Sequence, residues 1–400
     1  MDSVEEAGAS RAPSDSAPEV EAAVREAIAH GGGKITFARF VEICLYHEAR
    51  GYYAAFAPAG AEGGRSPASD YFTSVDLHPA FGRLIARELA LHLERALRGG
   101  AARVFAVEIG GGRGLLARDI LQGLAAESPP AYDRLTYLLV EPNAGSISVQ
   151  QRNLLPEFAG KVAWMRSAGV NLPLRKVAGA IVSNELLDAL PFHVLEGVGE
   201  AVGAQATAGL AEVFVAARGG ATGLLQEVVG PVSDPRLLKR LDDEGVGLAP
   251  GQRGEVSLDA EALAFEMGRA LAVGAVLIVD YGDEAAGLYD VRRRPEGTLR
   301  CFFRHRLNDE PLARLGRQDI TVHVDFTAVS RAVERAGLRV QRVERQGEFL
   351  DRHGLSSFVA KLDADQPRIG REAFVRHRRA LEALRDPRGL GSNLVLVAWR

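Results

Sequence analysis

The residues best suited to do chemistry stand in one short run, Val107-Glu108-Ile109-Gly110-Gly111-Gly112-Arg113-Gly114-Leu115-Leu116. An apolar stretch enters glycines and leaves in a helix-compatible run. Glycines let the chain turn sharply and let a ligand lie on the backbone with no Cβ in the way. A dinucleotide-type Gly-x-Gly-x-x-Gly needs glycine at position 115, where Leu115 stands. The pattern is instead Glu-x-Gly-x-Gly-x-Gly. It suits S-adenosylmethionine, which has an amino-acid end and no pyrophosphate to seat on a helix N-terminus. Glu108, Gly110, Gly112 and Gly114 are therefore candidate cofactor-binding residues. Glu141 joins them, because it ends the next apolar run, where an acid can accept both ribose hydroxyls. The plainer alternatives are a flexible glycine-rich turn and an ordinary loop carboxylate.

A third apolar run ends in Asn184-Glu185-Leu186-Leu187-Asp188-Ala189-Leu190-Pro191. Ligands of open α/β sheets sit at this kind of strand end. Glu185 and Asp188 are three apart, so the spacing predicts that they share one face of a helical turn. Asn184, Glu185 and Asp188 are candidate catalytic residues, and Asn184 is also a cofactor candidate. Acids at a helix N-terminus are favourable in any case, which is the bland alternative. Further on, Asp319, Thr321, His323 and Asp325 alternate with Ile320, Val322 and Val324. Period two predicts four polar side chains on one face of an extended segment. His323 and Asp325, with Asp319, are second-line candidates as acceptor ligands or lid supports. One His and two Asp could ligate a metal, but methyl transfer needs none, and no metal is predicted.

The elements that must hold these residues are legible from periodicity. Val104–Ile109, 135–141, Val162–Met165, 178–184 and 275–280 read as buried strands, and 20–29, Phe37–Tyr46, 79–96, 115–124, 146–155 and 259–271 as helices. Strands alternating with helices argue for an α/β fold, a doubly wound and mostly parallel Rossmann-like sheet. Residues 197–254 break the alternation and read as an inserted α+β segment. The predicted organisation is a disordered leader over 1–19, an N-terminal helical cap and lid over 20–100, and a cofactor-binding domain over 101–400. Small residues over 54–70 suggest a lid, with Phe72 and Phe81 packing it down.

Composition narrows the class. The 400 residues are 47% hydrophobic and 25% charged with a formal net charge of −4, an ordinary globular balance. No basic excess suggests nucleic acid, and no apolar run approaches the ~20 residues of a membrane span. The two cysteines, Cys44 and Cys301, make neither a disulfide framework nor a cysteine-rich metal site. The leader holds one basic residue, Arg11, and has neither a secretory nor a mitochondrial signature, so a cytoplasmic location is expected.

Taken in order, these segments resemble the MidA-like family of S-adenosylmethionine-dependent methyltransferases, whose mitochondrial member is an arginine methyltransferase needed for respiratory complex I assembly. The likeness is carried by Ile35-Thr36-Phe37 through Gly51-Tyr52-Tyr53, Asp70-Tyr71-Phe72-Thr73-Ser74, Glu108 to Leu116, Glu141 with Gln150, Asn184-Glu185 with Asp188-Ala189-Leu190-Pro191, Asp280-Tyr281-Gly282, Gly297-Thr298-Leu299-Arg300, His305, and Asp319-Ile320-Thr321 with His323-Val324-Asp325-Phe326. Gly111 and Asn143 depart from the family pattern, which usually has proline and serine there.

The resemblance implies a class I methyltransferase with S-adenosyl-L-methionine as cofactor and an arginine on a partner protein as acceptor. Carboxylates can localise the charge of a guanidinium and accept its proton. Two alternatives remain open: a small-molecule O- or N-methyltransferase, and an assembly factor that binds the cofactor without turnover. A homodimer is compatible with all three.

Overall fold

The computed structural model describes residues 15–55, 73–199, 209–219, 223–304 and 306–400. Its centre is a seven-stranded sheet in the order Arg339–Arg345, Leu394–Trp399, Leu271–Asp280, Val177–Asn184, Val104–Ile109, Leu135–Val140, Val162–Met165. The inner strands pair in parallel. Leu394–Trp399 runs antiparallel to both of its neighbours. Strands buried on both faces must be apolar throughout. Leu277, Ile278 and Val279 in the middle of the sheet are accordingly at most 1% exposed.

Helices cover both faces. Ala80–Arg98 and Leu115–Glu127 build one core with Leu84, Leu89, Ile120 and Leu124. Leu258–Ala270 and Phe326–Arg335 build the other with Leu263, Met267, Phe326 and Val329. Chain order explains where a ligand can sit. After Val104–Ile109 the next two strands add on one side, and Val177–Asn184 then returns to the other. The loops after Val104–Ile109 and Val177–Asn184 therefore part company at the sheet edge, leaving a crevice.

A second sheet runs Lys34–Thr36, Leu210–Ala217, His193–Gly197, Arg253–Val256, with Leu225–Gly230 also pairing Leu210–Ala217. Helices Pro18–His30 and Phe37–Tyr46 pack on it through Val20, Val24, Phe37 and Phe40 against Phe192, Val194, Val213 and Val215. Thr36 starts the second helix by accepting a hydrogen bond from the Arg39 amide at 3.2 Å.

Three expectations change here. The N-terminal segment is not a separate cap, because it shares a sheet and a core with the inserted segment. Helix Ala80–Arg98 belongs to the main core instead of the cap, and Phe81 is buried in that core. The leader is ordered before residue 19: Ser16 and Ala17 are buried, and the Ala17 amide donates to Leu315 O at 2.8 Å. Leader residues 1–14, lid residues 56–70, Phe72 and His305 lie outside the described residues.

Candidate active site

The crevice opens into a cavity of about 730 Å³. Its walls include Glu108, Gly110, Gly112, Glu141, Asn184 and Glu185, and also Tyr46, Tyr53 and Asp76. The volume is in the range of small-molecule sites.

The glycine loop is a cradle with one open face. Gly110, Gly112 and Gly114 have φ of +71°, +51° and +78°, a region costly for other residues. A Cβ on Gly110 would lie 2.8 Å from Leu186 Cδ1, and one on Gly111 would lie 2.7 Å from Leu139 Cδ2. A Cβ on Gly112 would meet nothing among the described residues within 4 Å. Gly114 starts helix Leu115–Glu127. Gln150 ties the loop to the acid: its Nε2 donates to Gly112 O at 3.0 Å and to Glu141 Oε2 at 3.3 Å. Trp164 Nε1 in turn donates to Gln150 Oε1 at 3.0 Å.

Glu108 and Glu141 are both buried. Glu108 accepts the Tyr137 hydroxyl at 2.7 Å, and burial, helped by the charge of Glu141, pushes its carboxyl up to about 7. Glu141 accepts the Asn143 amide at 3.2 Å, and burial raises it to about 7 as well.

Glu185 has φ +48°, a left-handed conformation rare for a residue with a side chain. Its Oε1 accepts the Ser74 amide at 3.2 Å and Asn184 Nδ2 at 3.4 Å. Glu185 Oε2 and Asn184 Oδ1 are buried with no hydrogen-bond partner among the described residues. Burial, with the charges of Asp280 and Asp76 adding to it, pushes the Glu185 carboxyl up to about 8.

Asp188 corrects the sequence expectation. The left-handed turn at Glu185 breaks helical spacing, and only Leu187–Ala189 forms a 3-10 turn. Asp188 is buried behind the cavity, outside its walls, where burial and the charges of Asp280, Asp319 and Glu185 hold it well above the usual carboxylate range.

His323 and Asp325 are also not at the cavity. The alternating segment is not one extended face: strand Asp319–Thr321 stops, and Val324–Asp325 pairs separately with Gly282–Asp283. Asp325 caps helix Phe326–Arg335, accepting the Thr327 and Ala328 amides at 2.9 and 3.1 Å, and pairs with Arg240 at 3.2 Å. His323 Nδ1 stands 2.9 Å from Arg294, and burial beside that guanidinium lowers its pKa to about 4. Asp319 is fully buried and accepts the Tyr53 hydroxyl at 2.9 Å.

Several residues at the site were given no role from sequence: Ser74 and Asp76, Tyr53, Gln150 and Asp280. Asp76 pairs with Arg113 of the glycine loop, so the short helix Ser74–Leu77 spans from that loop to Glu185. Ser74, Tyr53 and Gln150 fall inside the motif blocks, but only tertiary contact shows what they touch. Among the described residues, no group of three or more His, Cys, Asp or Glu is placed to hold a metal ion. No described helix is long and apolar enough to cross a membrane.

Residues 84–344 match the family described as S-adenosyl-L-methionine-dependent methyltransferases. The chain belongs to this family. S-adenosyl-L-methionine is accordingly its cofactor. The residues present fit such a ligand, with a glycine cradle that among the described residues is open at Gly112 and an acid at each of the two strand ends beside it. The methyltransferase is similar in structure to a COG1565 superfamily member from Burkholderia thailandensis bound to S-adenosyl-homocysteine. The TM-score is 0.79 at 27% identity, covering 96% of this chain and 92% of that one. Among curated proteins, it is 28% identical over 346 residues to the mouse mitochondrial protein arginine methyltransferase NDUFAF7, covering 81% of this chain and 71% of that protein. The Drosophila melanogaster homologue of that protein is 27% identical over 383 residues, covering 92% and 81%.

Proposed function

We propose that this methyltransferase methylates the guanidinium of an arginine on a partner protein. The observation that carries the reading is the pair of buried oxygens, Glu185 Oε2 and Asn184 Oδ1, which belong to two wall residues of the cavity and have no hydrogen-bond partner among the described residues. Asn184 Oδ1 and the ionised Glu185 carboxylate are acceptors, and a guanidinium is a donor-only fork. The arginine-methyltransferase names of the similar mouse and fly proteins support the same acceptor.

When bound, S-adenosylmethionine supplies a methyl group on a sulfonium, an electrophile that leaves its electron pair on sulfur. The residues that would hold it are the glycine loop at Gly110, Gly112 and Gly114, Glu141 for the ribose hydroxyls, and Glu108 and Asn184. In its carboxylate form Glu185 accepts the guanidinium N–H at Oε2, orients one terminal nitrogen for the transfer, and takes the proton that this nitrogen sheds. A carboxyl raised to about 8 is a better proton acceptor than an ordinary carboxylate. Asn184 Oδ1 holds a second N–H and fixes the plane of the fork.

The test is transfer of labelled methyl groups in a cell lysate, followed by hydrolysis and amino-acid analysis. Label in methylarginine is expected. Glu185→Gln should keep S-adenosyl-homocysteine affinity and lose about 100-fold or more in turnover. Label in small molecules or in neither fraction, or near-normal turnover of Glu185→Gln, would overturn the acceptor reading.

A further inference from the structure

We infer that Asp280 is a positioning residue for the transfer, fixing the left-handed kink that turns Glu185 into the cavity. The inference rests on the role proposed for Glu185.

Asp280 ends strand Leu271–Asp280, is fully buried, and is not a wall of the cavity. Its Oδ2 accepts the amides of Leu186 at 3.1 Å and Leu187 at 2.8 Å, and its Oδ1 accepts the amide of Tyr281 at 2.9 Å. The Glu185 amide donates to Val279 O at 2.8 Å. The backbone on both sides of the kink is thus tied to one strand end. A left-handed residue with a side chain costs about 1–2 kcal/mol, so without these ties the turn would relax and swing the Glu185 Cβ away. Hydrogen bonds to a charged acceptor are strong enough to hold it.

Charge enters as well as geometry. The groups facing Glu185 are Asp280, Asp76 from helix Ser74–Leu77, Asp188 from the 3-10 turn, and Tyr281, with Ser74 and Asn184 as donors. Burial pushes Asp280 up to about 7, while the amides of Leu187, Leu186, Tyr281 and Asp188 draw it back down. Its negative charge then raises Glu185, so neutralising Asp280 must lower Glu185.

Asp280→Asn tests this. Binding of S-adenosyl-homocysteine, measured by calorimetry, should stay near normal, while kcat falls about 10- to 100-fold. The acid limb of the kcat–pH profile should move to lower pH, a shift that a purely structural residue would not produce. In the Glu185→Gln/Asp280→Asn double variant, turnover should be no lower than in Glu185→Gln alone, because Asp280 acts through Glu185. Normal kcat, multiplicative losses, or loss of S-adenosyl-homocysteine binding would overturn the inference. Should the variant not fold, ¹⁵N-leucine labelling of the unaltered chain reads the same link. The Leu186 and Leu187 amides should titrate with the midpoint of the acid limb, and an acid limb absent from both amides refutes it. A slow Glu185→Gln beside a normal Asp280→Asn defeats only this inference, whereas a fast Glu185→Gln defeats the Glu185 reading itself.

Discussion

Replacing Gly112 with valine places a branched side chain where the glycine loop faces the cavity. A Cβ there meets nothing among the described residues within 4 Å, so none of them opposes the change by a clash. What remains is the backbone: at φ +51° a side chain adds left-handed strain of about 1–2 kcal/mol, with valine at the upper end. A chain of this size absorbs that as a drop of a few degrees at most in melting temperature. Gly111→Val, in contrast, would press on Leu139 at 2.7 Å and disturb the core. For Gly112→Val, S-adenosyl-homocysteine affinity should fall about 100-fold or more, which is about 2.7 kcal/mol. Calorimetry gives the affinity, and melting with and without ligand gives the folded state and the lost ligand stabilisation. Gly112→Ala, one methyl in the same space, should fall between the two. A folded Gly112→Val variant with unchanged affinity would refute the placement of the cofactor on this loop.

Tyr137→Phe removes the 2.7 Å donor to Glu108 and should weaken S-adenosyl-homocysteine binding about 10-fold near pH 7, read by calorimetry; equal affinity would show that Glu108 needs no such support. Without ligand, stability should fall as pH rises from 6.5 to 8. Glu108 and Glu141, raised to about 7, and Glu185, raised to about 8, hold protons in the folded chain that the unfolded chain has released. His78 and His323, lowered to about 4, give the opposite slope, but only below about 6.5. Urea midpoints at the two pH values check this, and a rise would contradict it. Asp325→Ala should lower stability by about 2–4 kcal/mol through loss of the helix cap and the Arg240 pair, with kcat/KM unchanged in the folded fraction; a selective loss of kcat would return Asp325 to the reaction.

The main sheet and the strand-end wall of the cavity were legible because their causes are local. Val104–Ile109, Leu135–Val140 and Val177–Asn184 are apolar enough to be buried on both faces, so their ends are visible as hydropathy steps. Glu108, the glycines, Glu141 and Asn184-Glu185 stand at those steps, and a parallel sheet brings its strand ends to one edge. Glycine types at 110, 112 and 114 likewise announce backbone that other residues adopt at a cost.

Only tertiary structure decided the rest. Lys34–Thr36 pairs with residues 214–216, across some 180 positions of chain, and nothing in a three-residue strand names so distant a partner. The spacing of Glu185 and Asp188 suggested one helical face, yet Glu185 stands in a left-handed turn whose following amides, Leu186 and Leu187, donate to Asp280, and Asp188 lies outside the cavity walls. His323 and Asp325 have the residue types of a catalytic pair, but Asp325 is spent on a helix end and an arginine from the inserted segment. The carboxyl groups are raised because the fold removes water from them, a property of the surrounding atoms that residue order along the chain does not carry.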